Sequence, residues 1–160
     1  MKTDFSVGGT VKAEFLTCTK PCGRGCRDRR CPNETREIKL LNAVRFFLPG
    51  GNVLETLPGF VFDGASIPKL CWTTVGHPLE HRFLYAALLH DAMYSAQYLS
   101  RTAADKLFYS FLRDFAGVGF AAACKIFAAV RLFGGIAWRS KTKEQIESAR
   151  RLVHLEEPEK

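Results

Sequence analysis

The sequence lacks the apolar stretch that a signal peptide carries near its start, because residues 1–9 include an acid and two glycines, Asp4, Gly8 and Gly9. We therefore expect synthesis to end in the cytoplasm of the producing cell. An uninterrupted apolar run of membrane-spanning length is also lacking. The most apolar window, residues 115–138, is interrupted by Lys125 and Arg131, and its four glycines, Gly117, Gly119, Gly134 and Gly135, are expected to break its helical continuity. No transmembrane segment is expected, and the window predicts a helix that covers the core, with a membrane-surface helix as the alternative.

Acidic residues are scarce, with 16 acids against 23 lysines and arginines, so the formal charge is +7. The basic residues concentrate near both ends of the chain, which favours anionic partners such as membrane phosphates, nucleic acid or an acidic protein surface. An ordinary solvated basic face is the alternative. Nucleic acid ranks behind the others, because the basic residues are not interleaved with aromatics and no nucleic-acid-binding module is recognisable.

Length and patterning predict an α+β fold in a single domain, residues 1–160. Apolar residues make up 47% of the chain, and thirteen are Phe, which suits a packed core. Extended patterns over 10–16, 38–48 and 52–57, with a Pro-Gly-Gly turn at 49–51, predict a short antiparallel β-meander within residues 1–57. Three or four packed helices should follow in residues 58–155, including one over about 78–99 and one from about 100 to 115.

Four of the six cysteines lie within the segment 18–31, at Cys18, Cys22, Cys26 and Cys31. Four thiols match the ligand number of zinc, but they crowd into one loop, whereas structural zinc sites leave a longer segment between two pairs. Zinc, two disulfides and free thiols are therefore three open readings. The loop is expected as an insertion at the tip of the first hairpin of the meander.

The segment 88–94 places two ionisable groups and a phenol among core residues. On a helix, His90, Asp91 and Tyr94 fall within a sector of roughly 100°, so they can face one space. A carboxylate in apolar surroundings needs a cation, a metal or several donors beside it. The alternative is that His90 and Asp91 simply satisfy each other and nearby backbone.

Asp105 and Asp63 are the other candidate site carboxylates. Thr102-x-x-Asp105 resembles a capping box, so Asp105 has an ordinary explanation as a helix cap partner. The alternative is that an antiparallel helix pair brings Asp105 to His90, where it would orient the imidazole. Asp63 precedes Gly64 in a tight turn, which suits either a structural turn or a ligand of a hard cation, and Ser66 can cap the segment that Pro68 begins.

Four ordered motifs resemble a family of small phage and prophage proteins known as a domain of unknown function. They are Phe-Asp-Gly-Ala-Ser-Ile-Pro at 62–68, His-Asp-x-x-Tyr at 90–94, Ser-Arg-x-x-Ala-Asp at 100–105, and Val-Arg-Leu-Phe-Gly at 130–134 with Trp138. The resemblance covers residues 38–138 and excludes the cysteine loop. It implies a phage context without an assigned activity.

A second, local resemblance concerns chemistry. His-Asp-x-x-Tyr on one helix and an Asp on the next is similar to the phospholipase A2 arrangement. This resemblance implies that His90 is the base, Asp91 a calcium ligand, Tyr94 a support and Asp105 the group that orients His90. The paired cysteines and the glycine-rich calcium loop of that family are absent, and Asp63-Gly64 is only a stand-in for the loop.

Two hypotheses follow for function. The first is a metal-assisted hydrolase that acts on an ester of the host envelope, with His90 as base, calcium at Asp91 and Asp63, and Tyr94, Arg101 and Ser66 in support. The second is a non-enzymatic tail, virion or assembly component, in which His90, Asp91, Arg101 and Asp105 form a structural polar network. In both, we expect the chain to be incorporated into the phage particle, where its expected partners are other particle proteins and host envelope lipid.

Overall fold

The computed structural model describes residues 5–15, 38–62 and 81–158, and these residues form seven strands and four helices. The strands are β1 (Ser6–Gly8), β2 (Ala13–Phe15), β3 (Ile38–Leu40), β4 (Val44–Phe47), β5 (Val53–Thr56), β6 (Val61–Phe62) and β7 (Val153–Glu156). The helices are α1 (His81–Ala96), α2 (Arg101–Asp114), α3 (Phe120–Arg139) and α4 (Lys143–Arg150). The prediction of an α+β fold with a short antiparallel meander and three or four helices is confirmed.

The strands form two antiparallel sheets. One has the order β1-β4-β5-β7 and the other β2-β3-β6. In β4, Val44 and Phe46 are buried while Arg45 and Phe47 are exposed, which is the alternation expected when one face of a sheet covers a core. The meander turn lies where it was predicted, since Gly50 and Gly51 both have positive φ, and Leu48 N–H donates to the Asn52 carbonyl.

The extended pattern at 38–48 was predicted as one strand, and the structure divides it between the two sheets. The break falls at residues 41–43, where the Asn42 side chain accepts from Lys12 N–H and donates to the carbonyls of Thr10 and Ala43. This amide satisfies backbone groups of the segments next to the second sheet, where the chain leaves it. Strands β2 and β3, which flank the cysteine segment, pair antiparallel as a hairpin.

The predicted helical part, 58–155, also contains strands. β6 joins the second sheet, and β7 closes the edge of the first sheet on β5, with Leu54 opposite Leu155. Strands therefore lie on both sides of the boundary that was predicted at residue 57 between the meander and the helical part. The sheet receives its last strand from a segment almost a hundred residues further along the chain, which a local pattern does not reveal.

Helix α1 lies at the centre of the described core. From Phe83 to Ala96 nearly every residue is buried, on all sides of the helix, and α1 packs against α2, α3, α4 and β6. Arg150 of α4 covers the end of α1, because its guanidinium donates to the carbonyls of Ala96 and Gln97. A cation at this position suits the negative end of the helix dipole.

The starts of α2 and α4 follow capping rules. Ser100 is the N-cap of α2 and accepts from Ala103 N–H, and Thr142 forms a capping box with Gln145 at α4. Glycines 134 and 135 were expected to break the helix over 115–138. Instead they lie inside α3, which runs unbroken for 20 residues. By length and composition α3 would also be able to cross a membrane.

Candidate functional site

The helix pair α1 and α2 brings His90 and Asp105 together. The short connection at 97–100 turns the chain back, so the first turns of α2 lie beside the last turns of α1. His90 Nε2 is 3.3 Å from Asp105 Oδ1, and the two side chains are 1% and 0% exposed. Of the two explanations for Asp105, the structure supports contact with His90. The cap role belongs to Ser100.

Asp105 is the centre of a wider polar cluster. Its Oδ1 also accepts a hydrogen bond of 2.5 Å from the Tyr94 hydroxyl. Its Oδ2 accepts from Arg131 at 2.6 Å, and Arg101 Nε lies 3.5 Å away. Arg101 in turn donates to the Arg131 carbonyl, which ties α2 to α3. A buried carboxylate thus has two cations and two neutral neighbours.

These contacts determine the ionisation of the site. Burial alone would raise the pKa of Asp105, but hydrogen bonds from His90, Tyr94 and Arg131 outweigh it and lower that pKa to about 2. Burial lowers the pKa of His90 below its usual value, and the contact with Asp105 offsets only part of this effect. Burial and the contact with Asp105 raise the pKa of Tyr94. At neutral pH the cluster holds an aspartate and a neutral imidazole.

The neutral imidazole is held in one tautomer. An ionised carboxylate only accepts hydrogen bonds, so His90 Nε2 must carry the proton that faces Asp105. The other nitrogen, Nδ1, is then an unprotonated acceptor. Nδ1 is buried and has no hydrogen-bond partner among the residues that the structure describes. A buried polar atom without a hydrogen-bond partner indicates a bound ligand, a water molecule or a catalytic role.

Aromatic rings enclose the imidazole. The ring centres of Tyr94 and Phe108 lie 4.1 and 4.4 Å from that of His90, and Trp138 meets Tyr94 edge to face at 5.0 Å. These apolar walls lower the local dielectric, which strengthens the interaction of His90 with Asp105 and disfavours the imidazolium.

Of the residues that the sequence singled out, His90, Tyr94, Arg101 and Asp105 are brought together. Asp91 is buried on α1 beside His90, 7% exposed. The remaining candidates lie outside the described residues: Asp63, Ser66, Cys18, Cys22, Cys26 and Cys31. Within the ranges 5–15, 38–62 and 81–158, no group of three or more His, Cys, Asp or Glu side chains is arranged to hold a metal.

Arg131 is the site residue that sequence reasoning missed. It was noted as an interruption of an apolar window and as part of the Val-Arg-Leu-Phe-Gly motif, without a role in the site, yet its guanidinium makes the 2.6 Å contact with Asp105. The available signal was its position. An Arg between apolar residues of a helix needs an anionic partner when it faces the core, and Asp105 is a buried carboxylate in need of a cation.

Comparison with known proteins places these residues in a family. Residues 38–130 match the family described as "Protein of unknown function (DUF1353)". The chain belongs to that family. The matched range contains His90, Tyr94, Arg101 and Asp105 and ends one residue before Arg131.

A curated relative extends the comparison. The chain is 37% identical over 68 residues to the "Uncharacterized protein y4jT" of Sinorhizobium fredii (strain NBRC 101917 / NGR234). The similarity covers 42% of this chain and 20% of the relative, so it spans about a fifth of that protein. No solved structure matches the chain significantly.

In this DUF1353 protein, Gly134 leaves room for Tyr94. A Cβ at Gly134 would lie 2.7 Å from the Tyr94 hydroxyl, so Gly134→Ala should push that hydroxyl away from Asp105. Overpacking costs about 1–3 kcal/mol, and the better helix propensity of Ala returns up to about 1 kcal/mol. We expect a lower free energy of unfolding in urea. Tyr94→Phe is the matched background, because it removes the hydroxyl and leaves ring carbons 3.4 Å from that Cβ; an equal loss from Gly134→Ala in the parent and in Tyr94→Phe would contradict the close packing.

The pKa values predict acid sensitivity in two steps. Since the pKa of His90 is lowered in the fold, the unfolded chain takes up this proton first, so stability falls as the pH drops below about 6.5. Asp105 has a pKa of about 2 in the fold against 3.8, so its contribution of about 2 kcal/mol is present above pH 3.8 and lost towards pH 2. Urea unfolding against pH tests both steps. His90→Gln should remove the loss of stability below about pH 6.5 and leave the loss between pH 3.8 and 2 in place. If the loss below pH 6.5 is unchanged in this variant, His90 is not the neutral group that causes it.

Proposed function

We propose that this protein is an ester hydrolase in which His90 acts as the general base. One observation carries the proposal: His90 Nε2 faces Asp105 while Nδ1 is buried and has no partner among the described residues. This is the arrangement that a histidine base requires, with one nitrogen oriented by a carboxylate and the other available for water. The resemblance of His90, Asp91, Tyr94 and Asp105 to the phospholipase A2 pattern suggests a lipid ester as substrate.

The reaction would proceed by attack of water. Nδ1 of His90 takes one proton from a water molecule as its oxygen attacks the ester carbonyl, and Asp105 stabilises the resulting imidazolium. When the tetrahedral intermediate collapses, the imidazolium returns that proton to the leaving alkoxide. The products are a carboxylic acid and an alcohol, and His90 is neutral again. Tyr94 and Arg131 keep Asp105 in place and ionised throughout, through their bonds of 2.5 and 2.6 Å.

Calcium is proposed as the electrophile, with Asp91 and Asp63 as its carboxylate ligands. A bound divalent cation would polarise the ester carbonyl. Asp91 suits this role by position, because it directly follows His90 and is 7% exposed. Zinc at the four loop cysteines is a separate proposal, based on ligand number alone.

Calcium binding has a direct stability test. A cation that binds the folded chain at a hundredfold excess over its Kd should raise the free energy of unfolding by about 2.7 kcal/mol, which shifts the thermal midpoint upward by several degrees. Asp91→Asn should remove this shift, and magnesium serves as the control cation. Parent melts that coincide with and without calcium would count against a metal at Asp91.

The hydrolase proposal is tested by incubating the full-length protein with phospholipid vesicles and calcium and measuring the release of fatty acid. Release by the parent and release at least about a hundredfold slower by His90→Gln is the expected result. A soluble short-chain ester is assayed in parallel to separate general esterase activity from lipid specificity. Parent protein that releases acid from neither substrate contradicts the proposal.

A non-enzymatic role is the second candidate, and the burial of the cluster favours it. His90 and Asp105 are 1% and 0% exposed, and Asp105 is surrounded by His90, Tyr94, Arg101 and Arg131, as a structural network would be. In this case the cluster would fix the mutual positions of α1, α2 and α3. Substitutions in the cluster would then lower the free energy of unfolding, and the parent protein would have no hydrolytic activity.

A phage particle is the proposed location for either role. The four sequence motifs that resemble phage and prophage proteins support it, as does a basic chain that would need no export signal if it were packaged. Proteomics of purified particles tests the location. Detection in the particles is expected, and presence only in the soluble fraction of the infected cell would overturn it.

A further inference from the structure

The outward side of α3 carries a row of exposed residues at helical spacing. We call this row the α3 outer stripe, and it consists of Ala121, Lys125, Ala128, Leu132, Ile136 and Arg139, all of them exposed. Leu132 and Ile136 are 76% and 79% exposed, and the neighbouring Phe133 is 65% exposed. Single exposed apolar residues are ordinary, but a contiguous group of large ones marks an interaction site.

The opposite side of α3 is fixed to the fold. Ala123, Ile126 and Val130 are buried in the core, and Arg131 is bonded to Asp105. The helix could leave this position for a membrane-spanning one only by exposing that core and breaking a buried ion pair, which is costly. The outer stripe must therefore meet its partner while α3 stays in place, lying along a surface.

The charges of the chain segment that carries the stripe have one sign. Residues 115–143 contain no acid, and besides Arg131, which is paired with Asp105, their basic residues are Lys125, Arg139, Lys141 and Lys143. Lys125 and Arg139 lie near the two ends of the stripe, fourteen residues apart, which is about 21 Å along a helix. Their long aliphatic stems can lie on apolar material while the charged groups reach phosphates, as they do at membrane interfaces.

We propose that the α3 outer stripe is a docking surface for an anionic phospholipid bilayer. α3 would lie in the plane of the interface, with Leu132, Phe133 and Ile136 among the upper acyl chains and the basic side chains at the lipid phosphates. Binding of this kind needs no catalysis, so it is independent of the proposed hydrolase activity.

A second copy of the chain fits the stripe less well. A parallel pairing would place Lys125 against Lys125, and an antiparallel pairing would place Lys125 against Arg139. No carboxylate on the stripe relieves either repulsion, because α3 contains no acid. Lipid phosphates supply the opposite charge that both ends of the stripe require.

The test is co-sedimentation of the full-length protein with vesicles of phosphatidylcholine alone and of phosphatidylcholine mixed with phosphatidylglycerol. The parent should sediment with the mixed vesicles and stay in solution with the neutral ones. Because each basic residue near an anionic surface contributes about fivefold in affinity, Arg139→Gln with Lys141→Gln should weaken binding about twenty-five-fold. Leu132→Gln with Ile136→Gln should weaken it about tenfold or more.

The matched control carries Leu41→Gln and Lys106→Gln, which remove an exposed apolar and an exposed basic side chain elsewhere on the surface. It should bind like the parent, and circular dichroism should show that all variants are folded. The proposal is wrong if the parent does not bind the mixed vesicles, or if the stripe variants bind them as strongly as the parent does. Gel filtration gives a further test. If the parent is a dimer and the variant with Leu132→Gln and Ile136→Gln is a monomer, the proposal is also wrong, because a second copy of the chain would then cover the stripe.

Discussion

Asp105→Ala is expected to lower the free energy of unfolding by about 3 kcal/mol. The carboxylate is fully buried, and its removal leaves Arg131, Arg101, Tyr94 and His90 without their common acceptor. Breaking a buried ion pair from one side costs about 3–5 kcal/mol, and the lower end applies because the side chains of Arg101 and Arg131 are 21% and 36% exposed. Urea denaturation of the parent and the variant measures the difference.

Two further variants make that measurement specific. Glu147→Ala removes an exposed carboxylate from α4 and should change stability by less than about 0.5 kcal/mol. Asp105→Ala combined with Arg131→Ala should be less destabilised than the sum of the two single variants, because their ion pair is counted twice in that sum. Strict additivity would show that Asp105 and Arg131 do not depend on each other.

His90→Gln is expected to lower kcat/KM for ester hydrolysis by about 10²–10⁴-fold, the usual contribution of a general base. A glutamine amide can still donate to Asp105, so the polar cluster keeps a donor at this position, but it cannot accept a proton from water. The free energy of unfolding should change by about 1 kcal/mol or less. Initial rates of fatty-acid release, with urea denaturation of the same samples, give both numbers.

The rate of fatty-acid release and the free energy of unfolding together distinguish a catalytic base from a structural histidine. A variant that is as stable as the parent and inactive fits the base. A variant that is strongly destabilised while the parent itself has no hydrolytic activity fits the structural network. His90→Ala is the harsher version, because it also leaves a cavity beside Phe108.

Helical periodicity predicted the contact between His90 and Asp105 as one of two alternatives, the other being a cap role for Asp105 on its own helix. His90 lies on an apolar helix, a short connection follows, and Asp105 lies on the second turn of the next helix, so an antiparallel pair can bring them close. The sector calculation also placed Tyr94 on the His90 side. In the structure both side chains contact the same oxygen of Asp105.

Local sequence patterns could not predict the contact of Arg131 with Asp105 or the division of the strands between two sheets. Arg131 is 26 residues from Asp105 in sequence, so their contact depends on how α2 and α3 pack, which no spacing rule determines. The 38–48 pattern is continuous in hydrophobicity, and only the hydrogen bonds of Asn42 to residues 10 and 12 reveal where one strand ends. β7 pairs with β5 from almost a hundred residues further along the chain, which is the kind of non-local pairing that a sequence pattern leaves open.

The most direct measurement is the nitrogen NMR spectrum of His90 in protein labelled with ¹⁵N-histidine, assigned by comparison with His90→Gln. The structure predicts, at neutral pH, a neutral ring with the proton on Nε2, an unprotonated Nδ1, and a pKa below 6.5. An imidazolium at neutral pH, or a proton on Nδ1, would contradict the account, because Nδ1 would then be unable to take a proton from water.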